Sequence, residues 1–327
     1  MIKDLFGRVH DYLRISVTDK CNFRCSYCVP VKSCHFLPNE QIMTEDEITG
    51  IAKIFVDLGV KKIRLTGGEP LLRNDIRNIM YRLKKLAIQD LAITTNGYFL
   101  DQYIDDFKRL NITSINVSLD TLNADKFFQI TQKNVFEKVF QNIQLLQSQG
   151  IHPKINVVLV KGMNEDEIIN FVELTKNIPV HVRFIEYMPF EANQWNFNNV
   201  VTLDDILTLL KRNHYEIEKL SDKPNSTAKS FRIKNFPGTF AVISTVSHPF
   251  CETCNRIRLT ADGKLRNCLF AQSETDLLTP YRKGEDIVPL IQNNVASKFF
   301  KRGGLPDFSV PQLKDKLSKR KMIEIGG

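Results

Sequence analysis

Six of the seven cysteines fall into two groups of three, and their spacing is where this sequence could do chemistry. Cys21, Cys25 and Cys28 form a Cys-x3-Cys-x2-Cys run. An odd number of thiols in so short a loop cannot all pair as disulfides, and any pair that formed would be strained. Thiolates suit a soft metal centre, and three of them leave one coordination position open. Two readings follow. A closed zinc site wants four ligands and would borrow Cys34 or His35. An iron–sulfur cluster would keep one iron free for a substrate or cofactor.

Cys251, Cys254 and Cys268 make a second trio, Cys-x2-Cys-x13-Cys. Asp262-Gly263 lies between them, so 258–260 and 264–266 are expected to form a hairpin that returns Cys268 to the pair. Zinc with His248 as fourth ligand is the rival reading. As an iron–sulfur centre this one also has an open iron, with Arg256 and Arg258 beside it to face an anion. Between the trios, Gly67-Gly68-Glu69-Pro70 reads as a turn. Its two glycines let backbone approach a ligand closely, Pro70 fixes the exit, and Glu69 is expected to order the turn.

Positioning these groups falls to an alternation of short apolar strands and amphipathic helices. Strands are expected at 12–17, 62–66, 91–95, 115–119, 155–160 and 180–185. Helical patterns occupy 76–86, 101–109, 136–147 and 166–176, and an earlier helix opens on the capping box Thr44 to Glu47 and ends at Gly59. A second box is expected with Asn164 as cap, and Thr202 caps a helix running to about Arg212. Such alternation implies an α/β fold with a parallel sheet of right-handed crossovers. Six strands are too few to close an eight-stranded barrel, so an incomplete, three-quarter β/α barrel is expected. Ligands in these folds sit at the carboxyl ends of the strands, where the first cysteine loop, the Gly-Gly turn, Thr95, Ser118 and Met188 all fall. A run rich in Ser, Lys and Pro at 221–230 suggests a boundary, giving a barrel at 1–220 and a second-cluster region at 221–327.

The composition narrows the setting. No apolar run approaches the roughly 20 residues that span a bilayer, and the start is not a secretory signal, so a cytoplasmic address is expected. There cysteines read as ligands before bridges. Lys+Arg 45 against Asp+Glu 37 suits an anionic small molecule, while no nucleic-acid-binding signature is present.

The first trio, with Tyr27 directly before its last cysteine, resembles the cluster loop of radical S-adenosylmethionine enzymes, and the Gly-Gly-Glu-Pro turn strengthens the likeness. The segment from Thr245 through the second trio to Phe270 resembles the GTP 3′,8-cyclase family of molybdenum cofactor biosynthesis. That likeness also takes in Phe6-Gly7-Arg8, 13–28, 66–71, 94–97, 183–188 and the closing Gly326-Gly327. Cys34 is the one cysteine the pattern does not require.

The resemblance implies two 4Fe–4S clusters and S-adenosylmethionine as cofactors. The cluster on Cys21, Cys25 and Cys28 would cleave S-adenosylmethionine to a 5′-deoxyadenosyl radical, which takes hydrogen from C3′ of GTP so that this carbon attacks C8. The cluster on Cys251, Cys254 and Cys268 would grip the guanine. Gly68, Tyr27, Ser118 and Met188 would line the S-adenosylmethionine site. Arg14, Arg64, Thr95, Lys154, Arg183, Arg256 and Arg258 would meet the substrate, although Thr95 could equally cap its strand. A charge inside a strand is expensive unless it faces a ligand or a carboxylate, which makes Arg14 and Arg64 telling. The glycine tail could thread into a crowded site, with Lys319, Arg320 and Lys321 behind it. Implied partners are an electron donor and, downstream, cyclic pyranopterin monophosphate synthase; a homodimer is left open. The competing readings are a radical S-adenosylmethionine peptide-modifying enzyme and a zinc-stabilised binding protein.

Overall fold

A computed structural model describes residues 1–28, 36–190, 193, 195–308, 317, 318 and 320–326. Cys34 and His35, which the zinc reading would use, lie outside them, as do Lys319 and Gly327.

The six expected strands are present: β1 (Tyr12–Ser16), β2 (Lys62–Thr66), β3 (Asp90–Thr95), β4 (Ser114–Ser118), β5 (Lys154–Leu159) and β6 (His181–Glu186). They pair in parallel, in sequence order. Helices α1 (Glu45–Asp57), α2 (Ile76–Lys84), α3 (Ile104–Arg109), α4 (Ala124–Thr131), α5 (Phe136–Ser148) and α6 (Ile168–Asn177) make the crossovers. Thr44 and Glu47 form the reciprocal cap of α1, and Thr202 with Asp205 does the same for α7 (Leu203–Arg212).

Asn164 stands at the N-cap of a short 3-10 turn, Glu165–Glu167, but its side chain makes no capping hydrogen bond. Its amide instead donates to the Asp120 and Val158 carbonyls, and its carbonyl oxygen accepts from Val160 N–H, so it ties the end of β5 to the end of β4. A short polar side chain serves backbone in either setting, and tertiary packing decides which.

The sheet is wider than six strands. After β7 (Ile217–Lys219) and β8 (Lys229–Ile233), strand β9 (Thr239–Ile243) pairs parallel to β6. Strand β10 (Arg256–Leu259) pairs parallel to β1 at the opposite edge, and β11 (Lys264–Arg266) and β12 (Thr275–Asp276) follow it antiparallel. The parallel run is therefore eight strands long within a twelve-stranded, linear order, and the barrel does not close. The strands that flank the barrel come from beyond residue 230, so one sheet carries both cysteine trios. Helices α8 (Leu278–Arg282) and α9 (Val288–Ala296) cover the second hairpin, and α10 (Met322–Ile325) leads to the glycine tail.

The core is two-sided. Ile15, Ile63, Leu65, Ile93, Ile115 and Val117 pack outward onto buried residues of the helices such as Phe55, Ile79 and Phe107. Toward the lumen the strands present mainly polar and charged side chains, among them Arg14, Arg64, Lys154 and Arg183, with a few apolar ones such as Val158 and Ile185. No helix among the described residues is long and apolar enough to cross a membrane.

Candidate active site: two cysteine trios on one cavity

The first trio sits on the loop after β1, and the chain anchors that loop on both flanks. On one side Gly68 N–H donates to the Thr18 carbonyl at 2.7 Å and Glu69 N–H to that of Lys20 at 2.8 Å. A Cβ on Gly67 would lie 2.4 Å from the Thr18 oxygen, and one on Gly68 would lie 2.2 Å from that of Lys20. Both positions must therefore be glycine for the loop to dock. On the other side Arg24 N–H and Ser26 N–H donate to the Thr131 and Ile130 carbonyls, and the Tyr27 hydroxyl donates to Asp120 at 2.6 Å.

Glu69 is the keystone of the turn. It is 1% exposed and accepts from Leu71 N–H, Asn96 N–H and the Thr95 hydroxyl. Burial pushes its carboxyl up to about 7. Thr95 is thus engaged at the strand end, where its oxygen also accepts from Gly97 N–H.

The second trio is assembled by the expected hairpin. Cys251 and Cys254 precede β10, and Cys268 follows β11 after the Gly263 turn, whose φ is 69°. Arg8 secures it from the N-terminal side by donating to the Cys251 carbonyl at 2.7 Å and to those of Phe299 and Phe300. Glu186 secures it from the barrel side, accepting from Val246 N–H, Ser247 N–H and the Ser247 hydroxyl. His248 faces the Ser247 hydroxyl at 3.0 Å and lies 3.9 Å from Asp204, and it is not among the residues lining the cavity. That leaves it poorly placed to close a zinc site.

Both trios line a single cavity of about 790 Å³. Gly68, Tyr27, Ser118 and Met188 line it too, as do Arg14, Arg64, Thr95, Lys154, Arg183, Arg256 and Arg258. Strand register explains the basic wall. Arg14 is level with Arg64 on one side and Arg258 on the other, while Lys154 is level with His181, and Asn156 with Arg183. Alternate residues of a strand share a face, so Tyr12 and Lys62, two residues from Arg14 and Arg64, also point inward. Tyr12, Lys62, Asn156 and His181 escaped the sequence reading, although period-two alternation from Arg14, Arg64, Lys154 and Arg183 marks all four.

The wall is rich in cations, and of these Lys62 pairs with Asp90. Among the described residues, Arg64, Lys154, Arg183, Arg256 and Arg258 make no ion pair. The Arg64 guanidinium donates to Tyr12, Thr94 and Ser114 hydroxyls and to the Ile93 carbonyl. Two Arg183 nitrogens are buried without a hydrogen-bond partner. Burial, then Arg183, brings the Lys154 amine down to about 8. Burial, then Arg64, brings Arg183 down to about 9. Burial alone would raise Tyr12, but Arg64, Arg14 and Lys62 win and hold its phenol at about 7. Cations crowded at this density favour an anion in the cavity.

The tail also enters the site. The Gly326 carbonyl accepts from Arg258, and a Cβ on Gly326 would lie 2.5 Å from the Thr66 hydroxyl. Arg320 holds the approach by pairing with Asp262 at 2.8 Å and Glu274 at 2.7 Å.

The donor chemistry fits iron–sulfur clusters: at each trio three free thiols face the shared cavity. The sequence matches the Radical SAM superfamily over residues 15–175 and Molybdenum Cofactor Synthesis C over residues 180–302. The class is therefore that of radical S-adenosylmethionine enzymes, which implies a 4Fe–4S cluster and S-adenosylmethionine. The fold agrees. It superposes on Streptococcus suis SuiB, solved with S-adenosylmethionine, at a TM-score of 0.58 and 16% identity, covering 89% of this chain and 69% of that one. A GTP 3′,8-cyclase of Listeria monocytogenes is 41% identical over 332 residues, covering 100% of this chain and 99% of that protein. Molybdenum cofactor biosynthesis protein 1 of Bos taurus is 42% identical over 96% of this chain, but this chain spans about half (50%) of that longer relative. The chain belongs to the GTP 3′,8-cyclase family.

Proposed function

We propose that this chain converts GTP to (8S)-3′,8-cyclo-7,8-dihydroguanosine 5′-triphosphate, the first step of molybdenum cofactor biosynthesis, using two 4Fe–4S clusters and S-adenosylmethionine. The observation that carries the reading is the meeting of both cysteine trios and a strongly basic wall on one cavity.

When bound, the cofactors supply radical hydrogen abstraction at the first trio and an open, Lewis-acidic iron at the second. The chain supplies placement. Cys21, Cys25 and Cys28 would hold one cluster and Cys251, Cys254 and Cys268 the other. Gly68 N–H is engaged by Thr18, so a backbone contact from Gly68 to the methionine end of the cofactor would come from its carbonyl. Tyr27, Ser118 and Met188, which line the same cavity, would flank that ligand. A triphosphate carries roughly four negative charges, and Arg14, Lys154, Arg183 and Arg258 offer charge-assisted donors to it. Arg64 braces the wall through Tyr12. The same burial that depresses these cations keeps water from a reactive centre.

The division of labour assigns 1–220 to the barrel and 221–327 to the second cluster and guanine. A cytoplasmic setting, an external electron donor and hand-over to cyclic pyranopterin monophosphate synthase complete the proposal; a homodimer fits it equally. The test is anaerobic incubation of the reconstituted chain with S-adenosylmethionine, reductant and a nucleotide. The expected result is 5′-deoxyadenosine with GTP and none without it. Equal formation with ATP would remove the guanine-specific role of the second trio.

A further inference from the structure

Lys298 is 3% exposed and lies two residues past the end of α9, under the second trio. Its ammonium nitrogen is 3.4 Å from the Cys254 sulfur, 3.0 Å from the Arg256 carbonyl and 3.0 Å from His10 Nε2. His10 is itself fixed. Its Nδ1 is 3.0 Å from the Arg8 carbonyl, an acceptor only, so Nδ1 carries the hydrogen and Nε2 is left to accept from Lys298. Arg8 in turn is bound by Asp4, which lies 3.8 Å from His10. A buried lysine with three fixed neighbours, one of them a ligand sulfur, is an arrangement that core packing alone does not call for.

Arg256 adds a second donor, 3.5 Å from the same sulfur, and Arg302 N–H lies 3.5 Å from the Cys251 sulfur. Around the first trio, by contrast, Cys21 receives Phe23 N–H at 3.4 Å and the Asn96 amide at 3.9 Å, and the carboxylates of Glu69 and Asp120 stand nearby. Hydrogen bonds to sulfur and local charge are the protein's means of setting an iron–sulfur potential. A cation donating to a thiolate ligand stabilises the reduced, more negative cluster.

We infer that Lys298, fixed by His10 and the Arg256 carbonyl, is a positioning residue for the second centre, whose reduction potential it raises by donating to the Cys254 sulfur. The inference rests on the reading that Cys251, Cys254 and Cys268 hold a 4Fe–4S cluster. Lys298 then does two things. It separates the potentials of two like clusters in one cavity, and it draws electron density from the iron that receives substrate.

The experiment is a potentiometric titration of the full, anaerobically reconstituted chain, followed by electron paramagnetic resonance. The signal that S-adenosylmethionine leaves unchanged reports the second centre, and the signal it perturbs serves as internal reference. Lys298→Met is expected to lower the reduced-to-oxidised ratio of the second centre about tenfold at fixed potential, about 59 mV for one electron, with the reference unmoved. Lys298→Arg should restore most of the shift, and His10→Leu should shift it the same way but less. An unmoved second centre in Lys298→Met, with full iron retained, overturns the inference. If that variant does not take up iron, His10→Leu decides, and an unmoved potential there overturns it as well. A wild-type chain with only one cluster's worth of iron would instead overturn the function proposed above, and this inference with it.

Discussion

Cys25 and Cys254 line the same cavity, yet their surroundings push the two thiols in opposite directions. Burial, with Asp120 and the neighbouring cysteines, holds Cys25 well above the ordinary thiol range. Cys254 is also buried, but Arg256 and Lys298 outweigh that and bring it down to about 6. The first trio sits on a loop clamped by Gly67, Gly68, Glu69 and Asp120, where neutral donors and carboxylates dominate. The second is hung between Arg8, Arg256 and Lys298. The two trios are thus given unlike electrostatics, which under the proposed function suits the first to sending an electron out and the second to gripping a substrate.

The largest effects should come from dismantling either trio. Cys25→Ser is expected to remove about half the iron and to abolish 5′-deoxyadenosine formation. Cys268→Ser should also remove about half the iron, yet leave an electron paramagnetic resonance signal that S-adenosylmethionine still perturbs. If Cys268→Ser ended that response as completely as Cys25→Ser, the contrast between the trios would not stand.

Next are the cations between them. Arg183→Ala removes a buried cation with two unpartnered nitrogens, and a charged hydrogen bond is worth about 1.5–3 kcal/mol, so KM for GTP should rise roughly 10- to 150-fold. KM for S-adenosylmethionine should change far less. A comparable rise for both ligands would mean that the wall does not distinguish the two ends of the cavity.

A pH profile sharpens the same point. The Lys154 amine, lowered to about 8, is charged below that pH and neutral above it. In kcat/KM for GTP, which reports the free enzyme, activity should therefore decline as pH rises through about 8. Lys154→Arg should move the decline upward, and a flat profile across this range would remove Lys154 from triphosphate binding.

The smallest effect belongs to the clamp. Glu69→Gln puts an amide where three donors converge, and should cost about 1–3 kcal/mol in urea unfolding. Loss of stability below this range, with iron content unchanged, would mean that the turn holds the first loop without its carboxylate.

Much of this was legible in the sequence because the barrel half obeys local rules. Alternating β1 to β6 and the caps at Thr44 and Thr202 announce themselves in windows of a few residues. Strand β9, and the parallel pairing of the expected hairpin strand β10 with β1, did not, since each pairs with a strand distant in sequence. Asn164 takes the expected cap position without the capping bonds, because its amide serves tertiary contacts to Asp120 and Val158. The cysteines and arginines at strand ends were legible as a set. Lys298 and His10 were not, because 288 positions separate partners that only the folded chain brings together.

The most direct test of the account is electron paramagnetic resonance of the reduced, fully reconstituted chain with each small molecule added alone. The account predicts two signals, one perturbed by S-adenosylmethionine and the other by GTP. Both ligands perturbing the same signal, or one signal insensitive to both, would contradict it.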